Sequence, residues 1–368
     1  MKNFKNVIGQ TIWPGIVGGA LLLALPMCLT SCEDILGHWE RPASADAAAG
    51  EKYYSYNADG TKTEMTIPSD AILWTGAVAA GDVAPGTYVV EGNATCDGNL
   101  SLKGQVNLIL KDGAKLTVSG GIGSGSLDIY GQSDDEAEMG QLIVNNSTTY
   151  GYAFYVAGLN VHGGKIIASG DAAGIHCHNG DMNVYGGVIE ATGVKEQGIN
   201  VGSDTPRKLT IYGGKVTATG GSKSTGGSYA GITCYCSNGA PYNRFIINGG
   251  TVVARGGNCE TNNGGKGIEI QSYIEMNGGE VTCFGGNSTS ATGGNGADYI
   301  WFTDGTFIGI GGDGSTKGIG CPEIANKNGD AIHVDGNTDG STTTFGTSGT
   351  LSGNVTETNT YRGIKVYK

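Results

Sequence analysis

A strand, a pair of glycines and a second strand recur along this chain, and this repeat restricts the fold more than any other feature. The segment LTIYGGKVTATGG, residues 209–221, shows apolar residues at alternate positions on both sides of the glycines. Alternation with a period of two indicates β-strands, and glycine turns sharp corners because it has no Cβ. Such pairs follow a strand at five places: Gly163-Gly164, Gly186-Gly187, Gly213-Gly214, Gly249-Gly250 and Gly278-Gly279.

Aligned on the glycine pairs, the repeats keep the same positions apolar. One column before the glycines holds Leu159, Met182, Leu209, Phe245 and Ile274. A single repeat cannot bury its apolar faces alone, whereas stacked repeats can. We therefore predict an all-β fold, a right-handed parallel β-helix with three strands per coil and roughly ten coils, the hand following from the crossover rule. The alternative is a β-sandwich of hairpins, in which neighbouring strands would be antiparallel.

The charge of the chain limits its partners. The net charge is −12, and nucleic-acid binding needs a basic surface instead. We therefore expect no nucleic-acid partner, and we expect a monomer. Glycine is frequent, 68 of 368 residues, but the apolar residues between the glycines show that the chain can form a core.

The N-terminus resembles a bacterial lipoprotein signal. Lys2 and Lys5 precede an apolar run, and Leu29-Thr30-Ser31-Cys32 resembles a lipobox, which implies cleavage before Cys32 and lipidation of its thiol. The alternative is a transmembrane helix, for which the run is barely long enough. Glu33 and Asp34 resemble the export signal of Bacteroides-type surface lipoproteins, so we expect an outer-membrane protein exposed at the cell surface and held to the membrane through Cys32.

Three segments follow from these patterns. Residues 1–31 are the predicted signal peptide, residues 32–66 the lipidated cysteine and a flexible tether, and residues 67–368 the β-helix domain. Because open ends of a β-helix expose backbone groups, we expect caps within 67–95 and 351–368. Seven cysteines remain after Cys28 and Cys32, and this odd number predicts buried free thiols rather than a disulfide framework.

Alternation also predicts which side chains face outward. On the first strand of each repeat these are polar or aromatic and form what we call the first-strand stripe: Tyr155, His176, His178, Asn200, Thr233, Tyr235, Glu269, Gln271, Asp298 and His333. Tyrosine rings can stack on sugar rings while amides and carboxylates bond hydroxyl groups. The stripe is therefore a candidate glycan-binding surface, although an ordinary solvated sheet face would also be polar.

Two patterns raise the question of a metal. Asp335, Asn337 and Asp339 match the beginning of a calcium loop, D-x-N-x-D-G, but the twelfth position is Gly346 instead of glutamate. His176 and His178 would point the same way from one strand, yet zinc needs a third ligand. Calcium is thus a candidate cofactor, and no other cofactor is expected.

The repeats LTIYGGKVTATGG and MNVYGGVIEATG, together with the segment from Gly86 to Leu110, resemble a bacterial surface family described as carbohydrate-binding domains with a polysaccharide-lyase-like right-handed β-helix. The resemblance covers residues 67–368 and implies calcium-assisted binding of acidic sugars, with no ligand motif to transfer. The sequence favours non-catalytic glycan binding. The alternatives are an adhesin-like or structural module that binds proteins, and a polysaccharide lyase or glycoside hydrolase, for which no catalytic residues can be assigned.

Overall fold

The computed structural model describes residues 49–202, 204–236, 244–328, 331–341, 345, 347–351, 355–357 and 361–368. The predicted signal peptide, Cys32 and residues 33–48 lie outside these ranges. The described part of the chain is all-β, with no α-helix. Accordingly, no helix within it has the length and apolar character needed to cross a membrane.

The strands are short, and most have three to six residues. In chain order they are β1 (Lys52–Tyr56), β2 (Lys62–Thr66), β3 (Ile72–Ala77), β4 (Gly81–Val83), β5 (Gly86–Cys96), β6 (Leu100–Leu102), β7 (Gln105–Leu110), β8 (Lys115–Val118), β9 (Ile122–Gly123), β10 (Ser126–Gly131), β11 (Gln141–Asn146), β12 (Phe154–Val156), β13 (Leu159–Val161), β14 (Lys165–Gly170), β15 (Ile175–Cys177), β16 (Met182–Val184), β17 (Val188–Gly193), β18 (Ile199–Val201), β19 (Lys208–Ile211), β20 (Lys215–Thr219), β21 (Ile232–Cys234), β22 (Arg244–Ile247), β23 (Thr251–Arg255), β24 (Ile268–Ile270), β25 (Ile274–Phe284), β26 (Tyr299–Ile310), β27 (Glu323–Asn326), β28 (Ile332–Asn337), β29 (Thr347–Leu351), β30 (Val355–Glu357) and β31 (Gly363–Tyr367).

Each strand of a repeat pairs in parallel with the equivalent strand of the next repeat. The column Leu159, Met182, Leu209, Phe245 and Ile274 is in register from β13 to β25. The strands after the glycines, from β8 to β25, are in register in the same way. The first strands form a separate eight-stranded sheet in the order β24-β21-β18-β15-β12-β9-β6-β4. Parallel pairing throughout the repeats excludes the hairpin sandwich.

The inward side chains of the three strand series form one continuous core. Phe154, Phe245, Phe302 and Phe307 are completely buried, and so are most of the Leu, Ile and Val residues that face them. All seven described cysteines are buried and free, which confirms the prediction for them. Burial raises the pKa of most of these thiols, that of Cys234 to about 12, so they behave as small apolar groups.

The second glycine of each pair has the left-handed conformation that its corner requires. Gly214 has φ +76°, and a Cβ placed there would lie 2.6 Å from the carbonyl oxygen of Gly187 in the preceding repeat. Both the backbone angle and the close approach exclude a side chain. The predicted role of the glycine pairs as corners is therefore confirmed.

The predicted boundary of the tether at residue 66 is wrong. β1 and β2 pair antiparallel, and Tyr53 of β1 and Ile67 belong to a second apolar cluster that also contains Val89 and Ile109. Val89 lies on β5 and Ile109 on β7, in the 23-stranded sheet. Residues 52–66 thus belong to the folded unit. β3, β4 and β5, within the predicted N-terminal cap, are paired in parallel and begin the stacks instead of forming a separate cap.

A row of stacked rings stands beside the glycine corners. Tyr130, His162, Tyr185 and Tyr212 are successive members, with ring centroids 4.8, 4.6 and 4.8 Å apart and ring planes within 5° of parallel. The backbone N–H of Tyr56 donates to Nδ1 of His162 at 3.1 Å, which ties the β1–β2 hairpin to this aromatic ladder. Burial lowers the pKa of His162, so its ring is neutral near pH 7.

The parallel pattern ends near the C-terminus. β31 pairs antiparallel with β26 and β28, β29 with β28, and β30 with β27. The change of direction begins at Ile332, earlier than the cap predicted within 351–368. Antiparallel strands of this kind cover the open edges of the last parallel strands.

Candidate functional site

The structure places the central members of the first-strand stripe in a single row across the sheet. Tyr155 pairs with His176, His176 with Asn200, Asn200 with Thr233 and Thr233 with Glu269. Neighbouring strands in a sheet are about 4.8 Å apart, so each repeat contributes one side chain at that interval. These residues alternate with core residues such as Ile175 and Cys177, and they lie on the outer face as the alternation predicts.

Three further members of the stripe lie beside this row. The ring of His178 stacks on that of Tyr155, with centroids 4.3 Å apart and planes 10° from parallel. Tyr235 is 48% exposed. Gln271 is held in place because its Oε1 accepts the backbone N–H of Cys236 at 2.9 Å.

One end of the stripe is a group of aromatic rings, of which the sequence pattern predicted Tyr155 and His176 but not the tyrosines of the preceding loop. The ring of Tyr152 lies 5.2 Å from Tyr155 and 5.4 Å from His176. A depression of about 360 Å³ opens between Tyr150, Tyr152 and Tyr155, and polar side chains including Asn99 line its other side. We call this depression the aromatic pocket. Tyr150 and Tyr152 follow β11 in a loop, where strand alternation gives no indication of which way they point.

The backbone of the aromatic pocket is strained. Tyr150 and Ser124 are the two non-glycine residues with positive φ in the described part of the chain, at 60° and 82°, and both line the pocket. Asp171 accepts the backbone N–H of Tyr150 at 2.8 Å and helps to hold the turn, which leaves the tyrosine side chain 68% exposed. Left-handed conformations of such residues concentrate at ligand-binding sites.

Polar atoms of the stripe have unused hydrogen-bonding capacity. Both ring nitrogens of His176, Nδ1 of His178, Oδ1 of Asn200 and Oγ1 of Thr233 are buried and make no hydrogen bond of ordinary geometry to a described residue. Burial lowers the pKa of both histidines, so each neutral ring offers one donor and one acceptor. Buried polar groups are nearly always paired, so the half-buried side chains of His176, His178 and Asn200 can bond a hydroxyl-rich ligand by turning outward. Thr233 is only 5% exposed and is not a direct ligand contact.

The other end of the stripe is charged. Asp298, predicted to face solvent, is only 8% exposed, and its Oδ2 accepts from Lys266 Nζ at 2.9 Å. The same ammonium lies 3.3 Å from Glu269 Oε1. Burial raises the pKa of Asp298 in spite of Lys266. Because so little of Asp298 is exposed, this group acts as a buried anchor for Lys266 rather than as a direct ligand contact.

His333 does not extend the stripe, so that prediction is wrong. It lies on β28, in the antiparallel C-terminal strands, and its ring stacks on Tyr367 with centroids 5.1 Å apart. The glycine-pair repeat ends before this point, and alternation alone could not show that the sheet had changed.

The candidate calcium ligands are divided between a strand and a turn. Asp335 and Asn337 lie within β28, while the side-chain oxygens of Asn337 and Asp339 accept the backbone N–H groups of Gly340 and Ser341. Among the described residues, no group of three or more His, Cys, Asp or Glu could hold a metal ion. Calcium binding by these residues stays a prediction.

Searches of this chain against models of known protein families, curated proteins and solved structures find no match. The resemblance to carbohydrate-binding surface domains therefore stays a prediction as well. The geometry of the stripe and of the aromatic pocket is the basis for the function that follows.

Proposed function

We propose that this protein binds a glycan, without cleaving it, along the first-strand stripe and in the aromatic pocket at its end. The observation that carries the proposal is the pocket itself, where three tyrosines surround a depression with a strained backbone. Aromatic rings carry a negative face, which attracts the slightly positive C–H groups on the apolar face of a sugar. The half-buried side chains of His176, Asn200 and Glu269 continue from the pocket as partners for hydroxyl groups.

We infer that the repeats wind as a right-handed parallel β-helix with three strands per coil. The three parallel strand series and their unbroken register support this winding. The hand follows from the strong preference for right-handed crossovers between parallel strands. In such a winding the first strands form one continuous face, which would give an extended glycan several contact points in a row.

The polar character of the stripe favours a glycan over a protein partner. The core of a protein interface is usually apolar and poor in charge, whereas the stripe holds two histidines, an asparagine, a threonine and a glutamate. Cleavage is less favoured because glycoside hydrolysis uses a pair of carboxyl groups, whereas only Glu269 of the two acids in the stripe is partly exposed and Asp298 is buried. An adhesin that binds proteins and a lyase or hydrolase are the alternatives that the tests below would reveal.

A glycan array tests the proposal. The full chain, kept in a detergent without a sugar headgroup, is applied to the array with calcium and with a chelator. We expect selective binding that falls by roughly tenfold in Tyr155→Ala, since a stacked aromatic contact contributes about one tenfold step in affinity. Met65→Ala is the matched control, because Met65 is as exposed as Tyr155 but lies on β2.

Three outcomes would count against the proposal. Equal losses in Tyr155→Ala and Met65→Ala would mean that binding does not use the stripe. Shortened glycans after incubation would show catalysis, and absence of binding to any glycan would favour a protein partner. A loss of binding in the chelator alone would support the predicted calcium.

We also propose that the chain is an outer-membrane lipoprotein held at the cell surface by Cys32. The support is the lipobox-like Leu29-Thr30-Ser31-Cys32 and the acidic residues after it. Labelling of cells with radioactive palmitate should mark the protein but not Cys32→Ser. Protease added to intact cells should digest the protein if it faces outward, and protection from the protease would place it on the inner side of the membrane.

A further inference from the structure

We propose that the protein has a second glycan-binding site, an aromatic platform formed by Tyr273, Tyr299 and Trp301 on the other, 23-stranded sheet. The rings of Tyr273 and Trp301 are stacked, with centroids 4.4 Å apart, and those of Tyr273 and Tyr299 are 5.8 Å apart. Tyr299 and Trp301 are 40% and 37% exposed. No residue of the first-strand stripe belongs to this platform.

Strand geometry explains why these rings lie side by side. Tyr299 and Trp301 are two residues apart at the start of β26, so both point outward while Ile300 enters the core. Two residues along a strand span about 6.6 Å, which separates the two rings enough for each to meet a different sugar in one glycan chain.

Neighbouring strands hold the platform in place. Trp301 is in register with Glu275 on one side and Ala325 on the other. The carboxylate of Glu275 is buried and accepts from both Arg244 and Lys327, and the hydroxyl of Tyr273 donates to Glu323 at 3.1 Å. Ala325 presents a single methyl group beside the indole, so no large side chain of that strand stands next to the ring.

The charges around the platform indicate a neutral glycan. Arg244 and Lys327 both pair with Glu275, and Glu323 beside Tyr273 supplies a second negative charge, so the charges of these four groups sum to zero. A chain of net charge −12 would also repel an acidic polymer at long range. The partly exposed guanidinium of Arg244 and ammonium of Lys327 can donate to the hydroxyls of neutral hexoses or pentoses stacked on the rings.

The platform does not depend on the stripe, so the two proposals can fail separately. Quenching of Trp301 fluorescence by acrylamide reports on the platform alone. The chain has four tryptophans, and the triple variant Trp13→Phe, Trp39→Phe and Trp74→Phe leaves only Trp301. The probes are cellohexaose, mannohexaose and xylohexaose, with a galacturonate hexamer as the acidic comparison, in a detergent without a sugar headgroup.

We expect at least one neutral hexasaccharide to reduce the quenching constant of Trp301 by about twofold or more, because a stacked sugar covers the exposed ring. Tyr299→Ala in the same background should weaken the effect by roughly tenfold, whereas Tyr155→Ala should leave it unchanged. The measurement with unaltered Tyr299 uses the triple variant, in which Trp74→Phe keeps an aromatic ring beside Tyr88, and thermal unfolding checks that each substituted chain is native.

Three results would overturn the second site. Trp301 could stay equally quenched with every neutral hexasaccharide, or it could be protected only by the galacturonate hexamer. It could also be protected without sugar as protein concentration rises, which analytical ultracentrifugation would identify as self-association through this face. In each case glycan-array binding sensitive to Tyr155→Ala would leave the first proposal standing.

Discussion

Replacement of Gly214 by alanine should destabilise the fold more than replacement of almost any surface glycine. Gly214 has φ +76°, and its Cβ would lie 2.6 Å from the oxygen of Gly187 and 2.8 Å from the carbonyl carbon of Gly186. Two separate costs therefore combine at one position, and the chain offers a control for each. Gly226 has φ +81° with no atom within 4 Å of its Cβ position, and Gly213 has an ordinary φ but a Cβ 2.6 Å from the oxygen of Tyr185.

The expected magnitudes follow from these geometries. A left-handed backbone costs an alanine roughly 1–2 kcal/mol, of which about 0.4–1 kcal/mol is offset by the lower entropy of the unfolded chain. Gly226→Ala should therefore lower the free energy of unfolding by about 0–1.6 kcal/mol. A clash with packed backbone adds about 1–3 kcal/mol, so Gly214→Ala should lose about 1–4.6 kcal/mol, and Gly213→Ala should fall between the other two variants.

Guanidinium unfolding followed by circular dichroism gives these differences, provided that the denaturant slope is the same in all four proteins. The informative quantity is the order of the three variants. If Gly214→Ala were no less stable than Gly226→Ala, the contact between successive glycine corners would not exist as described. The parallel stacking of the repeats at this corner would then have to be reconsidered.

Three more predictions concern the interior. The seven buried thiols should not react with Ellman's reagent until the protein unfolds. Any early reaction should come from Cys259, because hydrogen bonds from Asn262 and neighbouring residues outweigh burial and lower the pKa of the Cys259 thiol. Rapid reaction of several thiols would contradict the burial. The folded-state pKa of His162 lies below its ordinary value of about 6.5. The stability contributed by the neutral ring is therefore complete above pH 6.5 and is lost as the pH falls through the folded-state pKa. His162→Asn should reduce the difference in melting temperature between pH 8 and pH 5, and an unchanged difference would refute this. Burial alone would raise the pKa of Glu275, but hydrogen bonds from Lys327 and Arg244 lower it. Glu275→Gln should therefore lower the free energy of unfolding by about 1–2 kcal/mol in denaturant titrations. If the variant were as stable as the original chain both at low salt and in 1 M salt, the two ion pairs would contribute nothing to stability.

The repeat made the strand register predictable. Every column aligned on the glycine pairs between Leu159 and Ile274 is a column in the structure, because one side chain per repeat must fill the same place in the core. The outward direction of Tyr155, His176, Asn200 and Glu269 followed from the same alternation. Alternation could not predict the burial of outward groups such as Asp298, since burial depends on neighbours that are distant in sequence, such as Lys266, which pairs with it.

The misses have identifiable causes. The β1–β2 hairpin carried a visible signal, Asp59-Gly60 between two tyrosine- and threonine-rich segments, but low apolar content made it look like tether. Tyr150 and Tyr152 lie in a loop, where no period predicts direction. His333 was misplaced because its strand alternates like the repeats, and only pairing distinguishes an antiparallel strand from a parallel one.

Because the corners are in register, the number of residues in a repeat does not affect the pairing of its strands. Thirty-six residues lie from Gly213 to Gly249 and only 23 from Gly163 to Gly186, yet β20 and β23 pair as regularly as β14 and β17. Part of this additional length lies between β20 and β21, whose first residues are 17 positions apart against 10 for β14 and β15, yet no strand pair is shifted. Segments at such points can therefore lengthen, shorten or be exchanged while the framework keeps its dimensions, so a chain of this kind can acquire new surface loops without having to evolve a new core.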